Sequence, residues 1–573
     1  MLTKETNMYF DFLIEIPKDT GKISLNRRDG TSYVEYTYGR TYIPEKKYNV
    51  PKRTTIGKRS DTDSNYMYPN PNFIKYFPEV ELPEMKDRAL RSSCLRIGTY
   101  TVIKKIIEEY HLDDMMKRMI GRDSGLFLDL AAYSIITENN AGQYYPDYGF
   151  NHPLFTNQMR IYSDSKISDF ITNITCDQSI GFLNEWNASR NHREKIYISY
   201  DSTNKSCQAG DIEIAEFGHP KDGKDYPIFN YSIAYDHDNR EPLFYEEYPG
   251  SIIDMSQLQI MLEKAKSYGY KNAGFILDRG YFSKGNLRFM DKNGYDFVIM
   301  MKGMKSLVKE LILKNRGTFE DDQHHNIRQY KTYGTTIKRK LFESDEKERY
   351  FHLYYSSMKH ASEQELLEAK LDRMRKNLRK LYKKPVVMDK SYEHYFTPIY
   401  YHEGKEDQLF ELVQEKADVI QQEIRLCGYF CIITSKKMSA KDALELYKSR
   451  DASEKLFKGD KSYLGNKALR VQSDESAEAK IFIEFVALVI RNKMYTSLKD
   501  TVIESDNKAN YMNVPAAIRE LEKIEMIRQT DGEYRLDHAV TATQKAILKA
   551  FKMDAGYIQR EAGKIRTELR EEI

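Results

Sequence analysis

The chain combines short apolar runs of strand length with longer stretches of helical periodicity. Five runs of strand length lie between residues 192 and 305, at 196–201, 228–235, 243–248, 274–278 and 296–301. Short apolar runs that end in turn residues are typical of buried strands. Residues 256–268 have a helical pattern and lie between the third and fourth runs. This order predicts a mixed α/β domain.

The regions before this domain differ from it in periodicity. Residues 32–38 alternate with period two, Gly39-Arg40 has turn chemistry, and alternation resumes at 41–43, which predicts a hairpin. Residues 95–185 have helical spacing. One predicted helix face contains Val102, Ile103, Ile106, Ile107 and Tyr110.

The second half contains further strands and helices. Strand-like stretches at 327–333, 336–342 and 350–355 precede a charged helix whose apolar residues form a heptad seam: Leu367, Leu371, Met374, Leu378 and Leu381. We favour an intramolecular helix pair for this seam, with 406–422 as a candidate partner, over a dimer zipper. A strand at 428–435, a helix at 439–458 and an apolar helix at 479–495 follow. Beyond residue 505, a helix–hairpin–helix pattern either makes a winged-helix-like contact with DNA or a partner, or caps the preceding domain.

These patterns predict six regions along the chain. They are a strand-rich N-terminal region (1–92), a helical region (93–190), the first part of an α/β core (191–305), an α+β insertion (306–427), the second part of the core (428–500) and a C-terminal helical extension (501–573).

Composition restricts the class of protein only loosely. The chain has 573 residues, of which 40% are hydrophobic and 31% charged, so it can form several domains with apolar cores. Its net charge of +3 indicates no partner by itself. The five scattered cysteines argue against a disulfide framework, and the sequence shows neither a signal peptide nor a membrane span. We therefore expect a cytoplasmic, reduced protein that does not contact membranes.

One basic cluster stands out near the N-terminus. Lys52, Arg53, Lys58 and Arg59 lie within eight residues of one another. An extended basic segment can neutralise DNA phosphates and release counterions. Two interpretations remain open for this cluster: binding to a DNA end, or a solvated surface loop.

Four side chains with complementary chemistry recur at helical spacing in the predicted helix near residue 450. They are Tyr447, Arg450, Glu454 and Lys461. At about 100° per residue they lie within an arc of about 60°, so all four face the same direction. A carboxylate flanked by two cations and an aromatic ring suits a metal ligand beside phosphate-binding groups. The alternative is a charged, solvated helix face.

Two aspartates upstream complete a set of three carboxylates. Asp201 ends the run 196–201, and Asp278 ends the run 274–278. A carboxylate at the end of a buried strand is held by rigid backbone and remains open to solvent. Either aspartate alone would be read as an ordinary surface residue, and it is the combination with Glu454 that predicts a metal site.

These motifs resemble those of the DDE transposases of bacterial insertion sequences. The chain is similar to the branch that carries a Tyr-x2-Arg-x3-Glu-x6-Lys signature, which Tyr447, Arg450, Glu454 and Lys461 match. Residues 218–223 (Gly-His-Pro-Lys-Asp-Gly) and 278–283 (Asp-Arg-Gly-Tyr-Phe-Ser) also resemble this family. The resemblance extends over about 190–305 and 428–500.

The resemblance implies a fold and a reaction. The fold is a ribonuclease H-like core that a large insertion interrupts between the second Asp and the Glu. The reaction is cleavage of the element's ends and their joining to target DNA by two Mg²⁺ ions, for which Mn²⁺ can substitute. Asp201 would bridge both ions, while Asp278 and Glu454 would each hold one. The expected partners are double-stranded DNA, as terminal inverted repeats and target, and a second copy of the chain in a synaptic dimer.

The resemblance also suggests roles for neighbouring residues. Arg450 and Lys461 would bind phosphates near the cleaved end, and Tyr447 would stack on a base or contact a phosphate. Arg279 could reach a phosphate or brace the Asp278 loop, and His219 could face DNA or be structural. Two other functions remain open: a metal-dependent nuclease without strand transfer, and an inactive DNA-binding protein derived from a transposase.

Overall fold

The structure is a computed structural model. It describes residues 9–570 except 11, 19–20, 29, 45–46, 81–90, 191–194, 208–211, 219–225, 302–304, 386–387, 403–407, 465–467, 470, 472 and 506–508.

The described residues form strands and helices in the following order. The strands are β1 (Ile14–Glu15), β2 (Ile23–Arg28), β3 (Thr31–Ile43), β4 (Tyr48–Arg59), β5 (Tyr66–Pro69), β6 (Cys94–Arg96), β7 (Tyr197–Cys207), β8 (Ile228–Asp236), β9 (Glu241–Pro249), β10 (Gly274–Leu277), β11 (Asp296–Met300), β12 (Asn326–Ile327), β13 (Thr332–Lys340), β14 (Glu348–Tyr355), β15 (Phe396–His402), β16 (Gln408–Glu415), β17 (Tyr429–Thr434), β18 (Ala468–Leu469), β19 (Glu525–Arg528) and β20 (Tyr534–Leu536).

The α-helices are α1 (Pro71–Tyr76), α2 (Gly98–Tyr110), α3 (Leu112–Ile120), α4 (Ser124–Thr137), α5 (Tyr145–Asn151), α6 (Asp164–Thr172), α7 (Cys176–Ala188), α8 (Asp254–Ser267), α9 (Lys284–Lys292), α10 (Lys305–Asn315), α11 (Ser357–Arg379), α12 (Lys390–Glu393), α13 (Ala417–Leu426), α14 (Ala440–Lys448), α15 (Asp451–Tyr463), α16 (Asp474–Ser505), α17 (Val514–Leu521), α18 (Ala542–Ala550) and α19 (Ala555–Arg570). Within the described ranges, no helix is both long and apolar enough to cross a membrane.

The chain divides into two compact units. Residues Met1–Asn173 and Lys493–Ile573 form the first, and Ile174–Asn492 form the second. In the first unit strand β19 pairs antiparallel with β6, more than 400 residues earlier in the chain, in a three-stranded sheet of order β20-β19-β6. The predicted apolar face of α2 is buried, as expected from its spacing.

An antiparallel sheet of five strands, in the order β1-β5-β4-β3-β2, opens the first unit. The predicted turn at Gly39 is wrong, because β3 runs without interruption from Thr31 to Ile43. The register of β3 against β4 shifts between Thr37 and Gly39 instead. Gly39 therefore lies at a β-bulge, a position that glycine also favours.

The second unit is built on a mixed sheet of ten strands. The order is β12-β13-β14-β17-β11-β10-β7-β8-β9, with β18 added beside β7. Strands β7, β8 and β9 are antiparallel neighbours, and β10 and β11 run parallel to β7. The predicted α/β class is confirmed by this sheet and the helices that pack on it.

The segment predicted as an insertion does not form a separate body throughout. Its strands β13 and β14 continue the main sheet, because β14 pairs along its length with β17. The antiparallel pair β15-β16 is a separate small sheet. Leu371, Met374 and Leu378 of α11 are buried in a cluster with residues of β15, β16 and α13. The seam therefore packs within the chain, as expected, although residues 408–415 are a strand and not a helix.

Candidate active site

Strand register brings Asp201 and Asp278 together. Strands β7 and β10 run parallel, and their last paired residues are Tyr200 and Leu277. The next residue of each strand is an aspartate, so the two carboxylates follow each other in register at the same place on the sheet. This is the physical reason that residues 77 positions apart can share one site.

The two aspartates differ in backbone setting. Asp278 directly follows β10, as predicted. The prediction that Asp201 ends a strand is wrong, because β7 continues to Cys207 and pairs with β8 through Ser206. Asp201 is thus held inside an eleven-residue strand whose pairing with β8 continues before and after it.

The helix over this part of the sheet carries Tyr447. Helix α14 places Leu444 and Tyr447 in a buried cluster with Ile276, two residues before Asp278. The Tyr447 hydroxyl donates a hydrogen bond to Asp278 Oδ1 at 3.2 Å. Burial, with a further contribution from Asp278, raises the pKa of Tyr447 above its ordinary value. Because this side chain is only 5% exposed, its ring face is not open for stacking on a base in this conformation.

Arg450 lies at the centre of the three carboxylates. Its Nη1 atom is 3.3 Å from Asp201 Oδ2 and 3.7 Å from Asp278 Oδ1. Its Nη2 atom donates to Glu454 Oε1 at 2.8 Å. Burial acts to lower the pKa of the Arg450 guanidinium, but Tyr447 and the three carboxylates outweigh it, so the pKa is raised. The side chain that the sequence assigned to phosphate binding is here the counter-charge of the acidic cluster.

The helix that carries Glu454 is interrupted. The sequence predicts one helix over 439–458, whereas α14 ends at Lys448 and α15 begins at Asp451. Ser449 and Arg450 keep right-handed backbone angles, and Glu454 N still donates to Arg450 O at 3.4 Å. The predicted stripe of side chains therefore survives the break over Tyr447, Arg450 and Glu454.

The donor set of this cluster suits a hard divalent cation. Asp201, Asp278 and Glu454 offer only carboxylate oxygens, which Mg²⁺ and Mn²⁺ prefer. A cationic nitrogen already lies between the two aspartates, so both carboxylates can face one positive charge. In the described part of the chain, no three His, Cys, Asp or Glu side chains are near enough to hold one ion together.

The other predicted site residues lie in several elements of the chain. Lys461 is half-buried on α15, and Arg279 is exposed in the short turn after Asp278. His219 lies outside the described residues. The basic cluster lies in β4 and not in a loop: Lys52 and Arg53 are exposed, while Arg59 Nε donates to Ser64 O at 2.8 Å. These four residues belong to the first unit, and the carboxylates belong to the second.

One buried charged network beside the site was not expected from the sequence. Lys205 of β7 is fully buried, with its Nζ 2.9 Å from Asp460 Oδ2 of α15 and hydrogen-bonded to Glu484 Oε1 of α16. The sequence offers one signal for it. Lys205 has the same parity as Asp201 along β7, so both side chains lie on one face of the sheet.

Comparison with known proteins adds the following. The Transposase DDE domain family matches residues 194–490. No curated protein sequence matches the chain. Among solved structures, the chain is similar to a piggyBac transposase, from a cryo-EM structure of its synaptic complex with hairpin DNA, with 9% identity, coverage of 82% of each chain and a TM-score of 0.34.

The family match includes Asp201, Asp278, Tyr447, Arg450 and Glu454, and it spans more than half of the 573 residues. The chain therefore belongs to the Transposase DDE domain family.

Proposed function

We propose that the protein is a cut-and-paste DNA transposase that cleaves the ends of an insertion sequence and joins them to target DNA. The observation that carries the proposal is the convergence of Asp201, Asp278 and Glu454, from two parallel strands and a helix, on the single guanidinium of Arg450. Carboxylates that gather around one guanidinium would repel one another if no positive charge lay among them. Such an arrangement suits an acidic centre built to bind cations.

We assign the catalytic core to the ribonuclease H-like class. The support is the sheet order β9-β8-β7-β10-β11, in which three antiparallel strands are followed by two that run parallel to the first. In this arrangement Asp201 lies on the central strand β7, and Asp278 follows its neighbour β10.

In the proposed site, the three carboxylates would bind metal ions and Tyr447 would orient one of the carboxylates. Asp201, Asp278 and Glu454 would hold Mg²⁺, or Mn²⁺ in its place. Bound there, such ions would supply the positive charge that activates an attacking water or 3′-hydroxyl and stabilises the leaving oxygen. Through its hydrogen bond, Tyr447 fixes the orientation of the Asp278 carboxylate.

Cationic side chains would bind the DNA. Arg450, once turned away from the carboxylates, can hold a phosphate in the planar geometry that a guanidinium provides, and Lys461 can add a point charge. We assign to DNA contact also Arg279 beside Asp278, His219 and the cations of β4. We further propose that the element is a bacterial insertion sequence, that the protein acts in the cytoplasm, and that two copies pair two ends.

The test is a Glu454→Gln variant, which keeps the shape of the side chain and removes its charge. We expect it to bind end DNA like the wild type and to lose cleavage by more than about 100-fold, because loss of a metal ligand should cost more than loss of a partner that orients one. The matched control is Glu445→Gln, which makes the same change on the neighbouring helix α14. Cleavage by the Glu454→Gln variant at the wild-type rate would remove Glu454 from the active site.

The products of the wild-type reaction decide between functions. Joined products, with element ends covalently attached to target DNA, support a transposase. Cleavage without joining would indicate a nuclease. End binding with no Mg²⁺-dependent cleavage would indicate an inactive DNA-binding relative.

A further inference from the structure

A buried ionic network links the elements that carry the carboxylates. Lys205 is on β7, four residues after Asp201, and Asp460 is on α15, six residues after Glu454. Glu484 reaches both from α16. The side chains of Lys205 and Asp460 are 0% exposed and that of Glu484 is 3% exposed. Strand β7 and helix α15 are therefore linked twice: at this network, and at the acidic cluster through Arg450, which contacts both Asp201 and Glu454.

The two contacts are separated along both elements. Four strand residues span about 13 Å, and six helical residues span about 9 Å along the helix axis. A helix held at one point can slide or tilt, but a helix held at two points about 10 Å apart cannot do either without breaking one contact. The buried contact therefore restricts where the first turn of α15, with Glu454, lies relative to Asp201.

The chemistry of the network is directional. The Lys205 ammonium lies 4.3 Å from the centre of the Tyr231 ring, which stabilises it further. Burial, with Asp460 beside it, raises the pKa of Glu484 well above its ordinary value. Burial alone would lower the pKa of Lys205, but the two acidic partners raise it, so the lysine stays charged.

Helix α16 contacts α15 at a second position as well. Arg491, two turns after Glu484 on the same face, lies 4.7 Å from the centre of the Tyr463 ring. A Cβ at Gly459 would lie 2.7 Å from Arg491 Nη1, so glycine permits this close approach. Both contacts hold the half of α15 that is remote from Glu454.

Stability alone does not explain a buried network of this kind. Replacement of buried ion pairs by neutral groups of similar shape is often neutral or stabilising. An apolar contact is non-directional and would tolerate small displacements of α15, whereas an ammonium–carboxylate contact fixes both partners. We propose that Lys205, Asp460 and Glu484 are positioning residues that fix α15 against β7 and thereby set the distance of Glu454 from Asp201 and Asp278. This inference rests on the proposed function of the three carboxylates.

The test uses the full-length triple variant Lys205→Met, Asp460→Asn, Glu484→Gln, which removes the charges and keeps the side-chain shapes. The first measurement is the dissociation constant for Mn²⁺ without DNA, from the electron paramagnetic resonance signal of free Mn²⁺. The second is the Mn²⁺ concentration that gives half-maximal cleavage of end DNA. We expect both to rise by about tenfold or more, the size typical when partners that orient metal ligands are lost.

A control separates positioning from stability. The pair Lys104 and Glu561, 2.8 Å apart in the first unit, is replaced by Met and Gln. We expect this change to alter the thermal unfolding midpoint and to leave both Mn²⁺ values unchanged. If the triple variant fails to fold, Asp460→Glu decides instead. It keeps every charge and adds one methylene between α15 and Lys205, and the same weakening of Mn²⁺ binding is expected.

The outcomes are distinct. Suppose that the wild type binds Mn²⁺ and cleaves end DNA, and that the folded triple variant has the same two Mn²⁺ values. This result would overturn the positioning role and leave the proposed function in place. So would unchanged values in Asp460→Glu. A wild-type protein that neither binds Mn²⁺ nor cleaves end DNA would refute the proposed function itself.

Discussion

Arg450 contacts all three carboxylates of the proposed metal site, and its removal should have two opposite effects. In the Arg450→Ala variant the three carboxylates lose their common counter-charge. Divalent cations no longer compete with the guanidinium, so we expect Mn²⁺ to bind more tightly. End DNA should bind more weakly, because a phosphate-binding cation is lost.

The size of the first effect follows from the three contacts. The Glu454 pair joins residues four apart on a partly exposed surface, where such pairs contribute about 0.3–0.5 kcal/mol. The Asp201 contact is a hydrogen bond at 3.3 Å and the Asp278 contact is a longer ion pair at 3.7 Å. Because the Arg450 side chain is 15% exposed, we take a contribution of up to about 1.5 kcal/mol for each, the range of a typical net hydrogen bond. The sum is about 1–3 kcal/mol, or about 5–150-fold in Mn²⁺ affinity.

The assay compares Arg450→Ala with Lys455→Ala, which removes one exposed positive charge from α15 and makes the net charge equal. Mn²⁺ binding without DNA and end binding at several salt concentrations are measured for both. We expect tighter Mn²⁺ binding only in Arg450→Ala, and a slope of log affinity against log salt that is lower by about 0.9. Unchanged or weaker Mn²⁺ binding in Arg450→Ala would show that the guanidinium does not compete with divalent cations for the three carboxylates.

Two further predictions concern other parts of the chain. His352, fully buried between Thr336 and Thr434, has a pKa lowered by burial to about 4, so it contributes stability above pH 6.5 that is lost as the pH falls through 4. Urea unfolding should show that the wild type loses about 3 kcal/mol more between pH 7 and pH 4 than His352→Gln, and equal losses would contradict this. The double variant of exposed Lys52 and Arg53 to Ala should lower the salt slope of end binding by about 1.8. An unchanged slope would make them solvated charges of the sheet.

The sequence pattern was sufficient to predict the order of the strands and the helix that carry the three carboxylates, but not where these elements end. The apolar runs before Asp201 and Asp278 predicted the two strands, and the helical spacing around Glu454 predicted a shared side-chain direction. That β7 continues past Asp201 could not be predicted, because the residues from Ser202 onward are polar and resemble a turn. They remain in the strand because β8 supplies their backbone hydrogen bonds and because Lys205 meets acidic partners more than 250 residues later.

Other differences between the sequence-based predictions and the structure also arise from contacts between residues that are distant along the chain. The break between α14 and α15 occurs at Ser449-Arg450, which contains neither proline nor glycine and so gives no local signal. Gly39 fits a turn and a bulge equally well, and only the length of β4 opposite it decides for the bulge. The heptad seam of α11 was recognised correctly, but periodicity alone could not show that strands β15 and β16 cover it.

The pairing of β14 with β17 limits how the protein can be shortened. Deletion of residues 306–427 as one segment would remove β14, which pairs with β17. Strand β17 would then pair only with β11, and its other edge would be exposed. Exposed edges of this kind promote aggregation. A minimal enzyme should therefore retain residues 326–355, and only the part built from α11, β15, β16 and α13 is open to trimming or exchange.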